Sequence, residues 1–242
     1  MTDEIEKLQQ IFDESSRIVF FTGAGVSTES GIPDFRSQDG LYHQQYRYPP
    51  EEIISHSFFM HDPEEFYRFY KDRMVYPDAR PNPAHRKMAE FEKAGRSLGV
   101  VTQNIDGLHE AAGSQHVWQL HGTIYRNHCM KCGREYSLKQ VMDQPGVPHC
   151  SDCGGIIKPD VVLYEEALDE AVITGAVRAI SQADCLVITG TSLVVYPAAG
   201  LVNYFSGRHL VLINKSTTAQ DRNADLVIQD AVGRVMSQII VR

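Results

Sequence analysis

Seven short runs along the chain are apolar almost without interruption: RIVFFT (17–22), LGVVTQ (98–103), VWQL (117–120), VVLY (161–164), CLVITG (185–190), HLVLIN (209–214) and DLVI (225–228). Runs of this length, rich in β-branched residues and mostly without polar alternation, predict strands covered on both faces, the pattern of a parallel sheet. Between them, apolar positions recur at helical spacing over about 63–75, 83–94, 168–182, 197–206 and 230–240. The opening segment MTDEIEKLQQIFDESS sets Ile5, Leu8, Ile11 and Phe12 on one side, which predicts a first helix packed on a core. Strands alternating with helices argue for an open α/β sheet.

Two stretches break the alternation. Residues 37–82 are rich in aromatics and proline but carry no strand pattern, and residues 122–158 hold most of the cysteines. Both read as insertions beside the sheet. The expected fold class is therefore α/β: an open parallel-sheet, Rossmann-like domain with a smaller inserted zinc-binding and helical domain. Residues 1–36, 83–121 and 159–242 form the first; 37–82 and 122–158 form the second.

Composition narrows the function classes. The 242 residues are 43% hydrophobic and 22% charged, ordinary for a globular protein. No run of 18 apolar residues is present, so no membrane span is expected. The N-terminus lacks the basic start and apolar stretch of a signal peptide, and a cytoplasmic location is expected. The net charge of −8 disfavours non-specific binding to nucleic acid or an anionic membrane and suits a basic partner, such as a lysine-rich protein segment.

Four of the five cysteines fall as CMKC and CSDC: Cys129, Cys132, Cys150 and Cys153. Each pair has a glycine close behind it, Gly133 or Gly154. Two C-x-x-C pairs at this spacing read as a structural zinc site, since four thiolates fill a tetrahedron and leave no place for a catalytic water. A redox dithiol pair is the alternative. Cys185, inside an apolar run, reads as inert packing.

The polar residues cluster at predicted strand ends. TQNID (102–106), HGT (121–123), GTSL (190–193) and INKS (213–216) each follow a strand, as does GAGVS after RIVFFT. Ligands of open α/β sheets bind at that edge. Gly23 and Gly25 directly after a strand suggest a turn that brings backbone N–H groups to a pyrophosphate, but Thr28 stands where a dinucleotide fingerprint has its third glycine. No acidic ribose residue follows about 20 residues on.

GAGVSTESGIPDFR, TQNID, HG, the paired C-x-x-C, GTSLVVYPAA and IN, in that order from residue 17 to about 232, resemble the sirtuin family of bacterial Sir2-type NAD-dependent protein deacylases. The resemblance implies that NAD is consumed as a co-substrate and that one structural zinc is bound. The ribose–nicotinamide bond is cleaved, the acyl oxygen of an acyl-lysine attacks the anomeric carbon, and a base then frees a ribose hydroxyl to attack the resulting imidate. Lysine, nicotinamide and O-acyl-ADP-ribose leave. By the same resemblance His121 is the general base, and Asn104 holds a ribose hydroxyl or a water. Gln103, Ile105 and Asp106 surround ribose and nicotinamide; Asp106 and Asn104 could equally cap the turn before LHEAA. Gly23, Ala24, Gly25 and Thr28 belong to the pyrophosphate turn. Asp34, Phe35 and Arg36 belong to a mobile flap over the nicotinamide ribose, where Phe35 shields the reactive carbon and Arg36 meets a phosphate or the ribose edge. Gly190, Thr191, Ser192, Asn214, Lys215 and Val232 serve the rest of NAD. The acyl-peptide is expected to add a strand at Val161, Val162, Tyr164 and Val195. His109, His116 and His128 match no family motif and read as surface or packing residues.

The chain departs from the family where an aromatic-Gly-Glu is usual: it has Tyr164-Glu165-Glu166, which puts a carboxylate beside the peptide groove. Tyr70 and Arg73, three apart in a predicted helix, resemble the Tyr–Arg pair of sirtuins that remove acidic acyl groups such as succinyl; a solvated helix face is the other reading. The principal activity expected is deacetylation of acyl-lysine proteins or peptides, with no nucleic acid and no membrane as partner. The rival readings are an NAD(P)-binding oxidoreductase with structural zinc and a zinc-ribbon binding module.

Overall fold

The computed structural model describes residues 3–37, 40–43 and 46–242, with the side chain of residue 43 left aside. Nine strands are found among them: β1 Ile18–Thr22, β2 Ser97–Thr102, β3 Val117–Gln119, β4 Gly122–Cys129, β5 Glu135–Ser137, β6 Ile157–Val161, β7 Cys185–Thr189, β8 His209–Ile213 and β9 Leu226–Ile228. Six form one sheet in the order β3-β2-β1-β7-β8-β9, parallel throughout. Alternate residues explain the unbroken apolar runs. In β1, Ile18 and Phe20 enter one core with the helices Asp3–Glu14, Pro83–Lys93 and Val232–Met236. Val19 and Phe21 enter another, with the helix Glu170–Gln182 and the 3-10 turn Ala198–Tyr204. Ile5, Leu8, Ile11 and Phe12 are buried as the first helix's pattern predicts, and Cys185 is core.

The remaining strands form a small antiparallel sheet, β5-β4-β6. It shares a third core with the helices Pro50–Ile53, His56–His61 and Pro63–Arg73: Phe59, Phe66, Tyr67 and Tyr70 pack with Cys129, Tyr136, Val141, Ile157 and Val161. Thus the two stretches that interrupt the alternation meet in one apolar cluster.

The strand predicted at 161–164 is not part of the parallel sheet. Its start, Val161, ends β6 opposite Gly122 of β4, and Tyr164 makes a lone parallel bridge to Ser55. Apolar content alone does not say which sheet a strand joins; here the antiparallel ladder to β4, a strand the sequence pattern did not show, takes it. Gly122 is required at that junction. It has φ +75, and a Cβ there would lie 1.8 Å from the Asp160 carbonyl oxygen. No helix among the described residues is long and apolar enough to cross a membrane.

Candidate active site

A cavity of about 480 Å³ opens at the carboxyl edge of the parallel sheet. Every expected NAD residue lines it: Gly23, Ala24, Gly25, Thr28, Asp34, Phe35, Arg36, Gln103, Asn104, Ile105, Asp106, His121, Gly190, Thr191, Ser192, Asn214, Lys215 and Val232. So do Val161, Val162, Tyr164, Val195 and Arg73. Five loops separated by up to about 200 residues of chain converge because five of the parallel strands end at one edge.

The glycines of the first turn line the cavity and also bring two loops together. Gly23 N–H donates to the Thr189 carbonyl (3.1 Å) and Gly25 N–H to the Gly190 carbonyl (2.8 Å). These donors are committed to the loop after β7. A Cβ on Gly25 would sit 2.8 Å from Gly190 Cα. The glycines let the two loops touch.

His121 follows β3. Its Nδ1 lies 3.0 Å from the Gln103 carbonyl oxygen. A carbonyl only accepts, so Nδ1 carries the proton and Nε2 keeps its lone pair. Burial lowers the pKa of the ring against the opposing pull of the Gln103 carbonyl, which keeps it a neutral base at pH 7.

Ser27, not singled out by sequence, is the hub of the adjoining loop. Its hydroxyl donates to Asp106 Oδ2 (2.6 Å) and accepts from Asn104 Nδ2 (3.2 Å). Asn104 Nδ2 also donates to the Gly23 carbonyl (3.1 Å), so its amide oxygen is the atom left for a ligand. Asp106 Oδ1 accepts from Leu108 N–H (2.9 Å), which realises the turn-capping alternative alongside the site. Burial raises the Asp106 pKa, with the Ser27 and Leu108 bonds opposing it.

Behind Ser27 lie two fully buried histidines, His85 and His109, with ring centroids 4.8 Å apart. His85 Nδ1 accepts from Asn82 N–H (3.3 Å), and its Nε2 faces the Ser27 hydroxyl at 3.5 Å. Burial pushes His85 down to about 4 and His109 well below the usual imidazole range. His109 Nε2 lies 3.0 Å from the Thr22 hydroxyl, which bonds Thr102 (2.8 Å); Thr102 in turn accepts Asn104 N–H (3.0 Å). His109 is thus a packing residue, as expected, but one hydrogen-bonded through Thr22 and Thr102 to the TQNID loop. The signal for it in sequence is its place two residues after the NIDG turn.

On the far side, Asn214 and Thr191 bond reciprocally, Thr191 N–H to Asn214 Oδ1 (3.0 Å) and Asn214 Nδ2 to the Thr191 carbonyl (3.2 Å), tying the ends of β7 and β8. Gln103 Nε2 reaches Thr191 Oγ1 (3.0 Å). The expected Tyr70–Arg73 pair does not share a wall. Tyr70 lies in the third core, stacked on Phe66 with its hydroxyl buried and without a partner among the described residues, whereas Arg73 lines the cavity beside Met74. Arg73 Nε also lies 2.7 Å from an Asp72 carboxylate oxygen.

The four cysteines come together away from the cavity. Their sulfurs all lie within 4.8 Å of one another, with Cys129–Cys153 at 3.4 Å and Cys132–Cys150 at 3.6 Å. Gly133 and Gly154 follow the two pairs at φ +74 and +70. Four converging thiols are the donor set of a closed tetrahedral site, and the cluster could hold one structural zinc.

A parallel sheet with a cavity at its carboxyl edge, joined to a third core braced by four cysteines, defines a nucleotide-binding α/β protein with a metal-binding lobe. The chain belongs to the Sir2 family, whose model matches residues 23–197. It is 56% identical to an NAD-dependent protein deacetylase of Clostridium perfringens, over 99% of this chain and 100% of that protein. A protein of the same description from Clostridium acetobutylicum is 55% identical over 99% of each chain. Among solved structures, a Sir2 complex with a p53 peptide and NAD+ superposes with a TM-score of 0.84 at 37% identity, covering 96% of this chain and 95% of that one.

Proposed function

We propose that this chain is an NAD-dependent protein-lysine deacetylase, with acyl-lysine proteins or peptides as its substrates. The observation that carries the reading is His121: a partly buried imidazole with its proton fixed on Nδ1 by the Gln103 carbonyl, on the wall of the cavity that Asn104, Asp106 and Phe35 also line. NAD supplies the electrophilic ribose carbon that takes the acyl oxygen once nicotinamide leaves.

The residues divide the remaining work. His121 Nε2 accepts the proton of a ribose hydroxyl. Asn104, its amide nitrogen held by Gly23 and Ser27, presents its oxygen to a ribose hydroxyl or water. Asp106 has lone pairs left for a carboxamide N–H₂ after accepting from Ser27 and Leu108. Phe35 covers the reacting carbon, Arg36 meets the ribose edge or a phosphate, and Thr191, Ser192, Asn214, Lys215 and Val232 hold the adenosine half. Val161, Val162, Tyr164 and Val195 form the peptide wall. Zinc, held by Cys129, Cys132, Cys150 and Cys153, is structural and takes no part in the chemistry. We place the protein in the cytoplasm, where thiols available to a metal stay reduced. The oxidoreductase and zinc-ribbon readings are not favoured.

The test is to mix the protein with NAD and an acetyl-lysine peptide. Nicotinamide and deacetylated peptide should appear in equal amounts. Absence of nicotinamide release, or NAD reduction in its place, refutes the reading.

A further inference from the structure

The segment that carries Phe35 is closed on itself. Asp34 Oδ1 accepts from Arg36 N–H (3.1 Å) and Ser37 N–H (2.8 Å). The N–H groups of Leu41 and Tyr42 return to the carbonyls of Asp34 (2.9 Å) and Phe35 (2.8 Å). Tyr42 packs edge-on to Phe35, with ring centroids 5.5 Å apart, and the Arg36 guanidinium lies over its ring at 5.1 Å. These contacts fix the shape of the segment. Phe35 also packs against the third core, a contact without direction, and a directional bond outward would add register to it.

Tyr42 supplies one. Its hydroxyl lies 3.1 Å from the hydroxyl of Tyr164, and both residues line the cavity. Burial and the Tyr164 hydroxyl raise the Tyr42 pKa, so the Tyr42 hydroxyl keeps its proton. Of two phenols sharing one bond, one donates and the other accepts, and the acceptor keeps a hydrogen to offer elsewhere.

Tyr164 is a fixed point. Its N–H donates to the Ile54 carbonyl (3.0 Å), and its carbonyl accepts from His56 N–H (3.0 Å). The next residue, Glu165, turns into the left-handed region at φ +75, and its carboxylate accepts from Ser57 N–H (2.8 Å) and Oγ–H (2.6 Å). Glu166 then bonds Lys158 (3.0 Å) and Leu163 N–H (2.9 Å). The backbone around Tyr164 is therefore held from both sides, on the same wall proposed for the acyl-peptide.

We propose that the Tyr42–Tyr164 hydroxyl pair registers the Phe35 segment against the peptide wall, making Tyr42 and Tyr164 positioning residues that tie NAD placement to the acyl-peptide side of the cavity. The inference rests on the deacetylase reading. It is specific to two hydroxyls, so phenylalanine at either position keeps the packing and removes the tie.

The test compares the wild type with Tyr42→Phe, Tyr164→Phe and the double variant. It measures KM for NAD at saturating acetyl-peptide, the ratio of nicotinamide exchange to deacetylation, and the melting temperature. Each single variant should raise KM for NAD and the exchange ratio by about threefold to tenfold, the range of one hydrogen bond. The double variant should be no worse than either single, because the bond is lost once. Melting temperatures should not track these changes, as they would for a merely structural contact. Unchanged KM and exchange ratio in the single variants, or a double variant whose effect is the product of the two, overturns the proposal. Wild-type turnover with unaffected variants refutes the pair alone; a wild type that does not consume NAD with acetyl-peptide refutes the deacetylase reading and the pair with it.

Discussion

Replacing Ser27 by alanine removes one oxygen and breaks the hub beneath the cavity. The hydroxyl is buried, donates to an Asp106 carboxylate at 2.6 Å and accepts from Asn104 at 3.2 Å. A hydrogen bond to a charged group contributes roughly 1.5–3 kcal/mol, and a neutral one about 0.5–1.5. Asn104 keeps its bond to Gly23, and Asp106 keeps Leu108 N–H, so neither is wholly orphaned. The loss is therefore dominated by the carboxylate bond, and Ser27→Ala should cost about 2–3 kcal/mol near neutral pH. Thr28→Ala is the internal control. It sits in the same turn, but its hydroxyl bonds a neutral carbonyl, Gly25, at 3.0 Å and is only half-buried. That variant should cost about 1 kcal/mol or less. Urea unfolding of both variants reads the difference, since a typical domain has stability to spare for either change. A Ser27→Ala cost under about 1 kcal/mol, or one no larger than that of Thr28→Ala, refutes the claim that Ser27 holds the carboxylate.

The other expectations concern chemistry, acid, metal and acyl group. His121→Ala should lower deacetylation by about 10²- to 10⁴-fold while NAD binding, read by calorimetry, persists; near wild-type turnover removes His121 as base. His85 has its pKa depressed by burial to about 4, so the fold favours its neutral form. Its contribution to stability is complete above the unfolded pKa of about 6.5 and is lost as pH falls towards 4. His85→Asn should flatten the stability profile across that window, and an unchanged slope would show that the acid sensitivity lies elsewhere. Cys129→Ala or Cys150→Ala should release zinc and lower the melting temperature, because metal binding is folding free energy; an active wild type with no zinc by elemental analysis contradicts this. Arg73→Met should depress turnover of a succinyl-lysine peptide more than that of an acetyl-lysine peptide if the arginine reads an acyl carboxylate. Equal loss on both, or no wild-type succinyl turnover, assigns it no such role.

The parallel sheet was legible because each of its longer strands is buried on two faces, and Ile18–Thr22 or Cys185–Thr189 can hardly be read otherwise. The cavity was legible because small polar motifs recur at strand ends. What escaped was decided by contacts between distant residues. β6 joins the small sheet through pairing with β4, which its own apolar content does not encode. Ser27 is one hydroxyl among several in GAGVSTES, and only folding sets it against Asp106, 79 residues on. Tyr70 and Arg73 have the right spacing on one helix, yet the core of aromatic rings takes the tyrosine and leaves the arginine at the cavity. Spacing gives a shared side of a helix; it does not say where the boundary between core and cavity crosses that side.

β6 begins two residues after Gly155, where a Cβ would lie 2.9 Å from the Cys129 sulfur, and finishes at Val161 on the cavity wall. At about 3.4 Å per residue it spans roughly 17 Å between the cysteine lobe and the cavity. Its ladder with β4 is regular over Ile157–Pro159 and shifts register before Val161 meets Gly122. Slipping it by one residue against β4 would exchange the buried Val161 with the half-exposed Asp160 and turn Val162–Tyr164 over. Anyone grafting a different cysteine module onto this scaffold inherits that constraint: the sequence between Gly155 and Val161 has to keep its length, since an insertion there would relocate the Val161–Tyr164 wall of the cavity while leaving every cysteine in place.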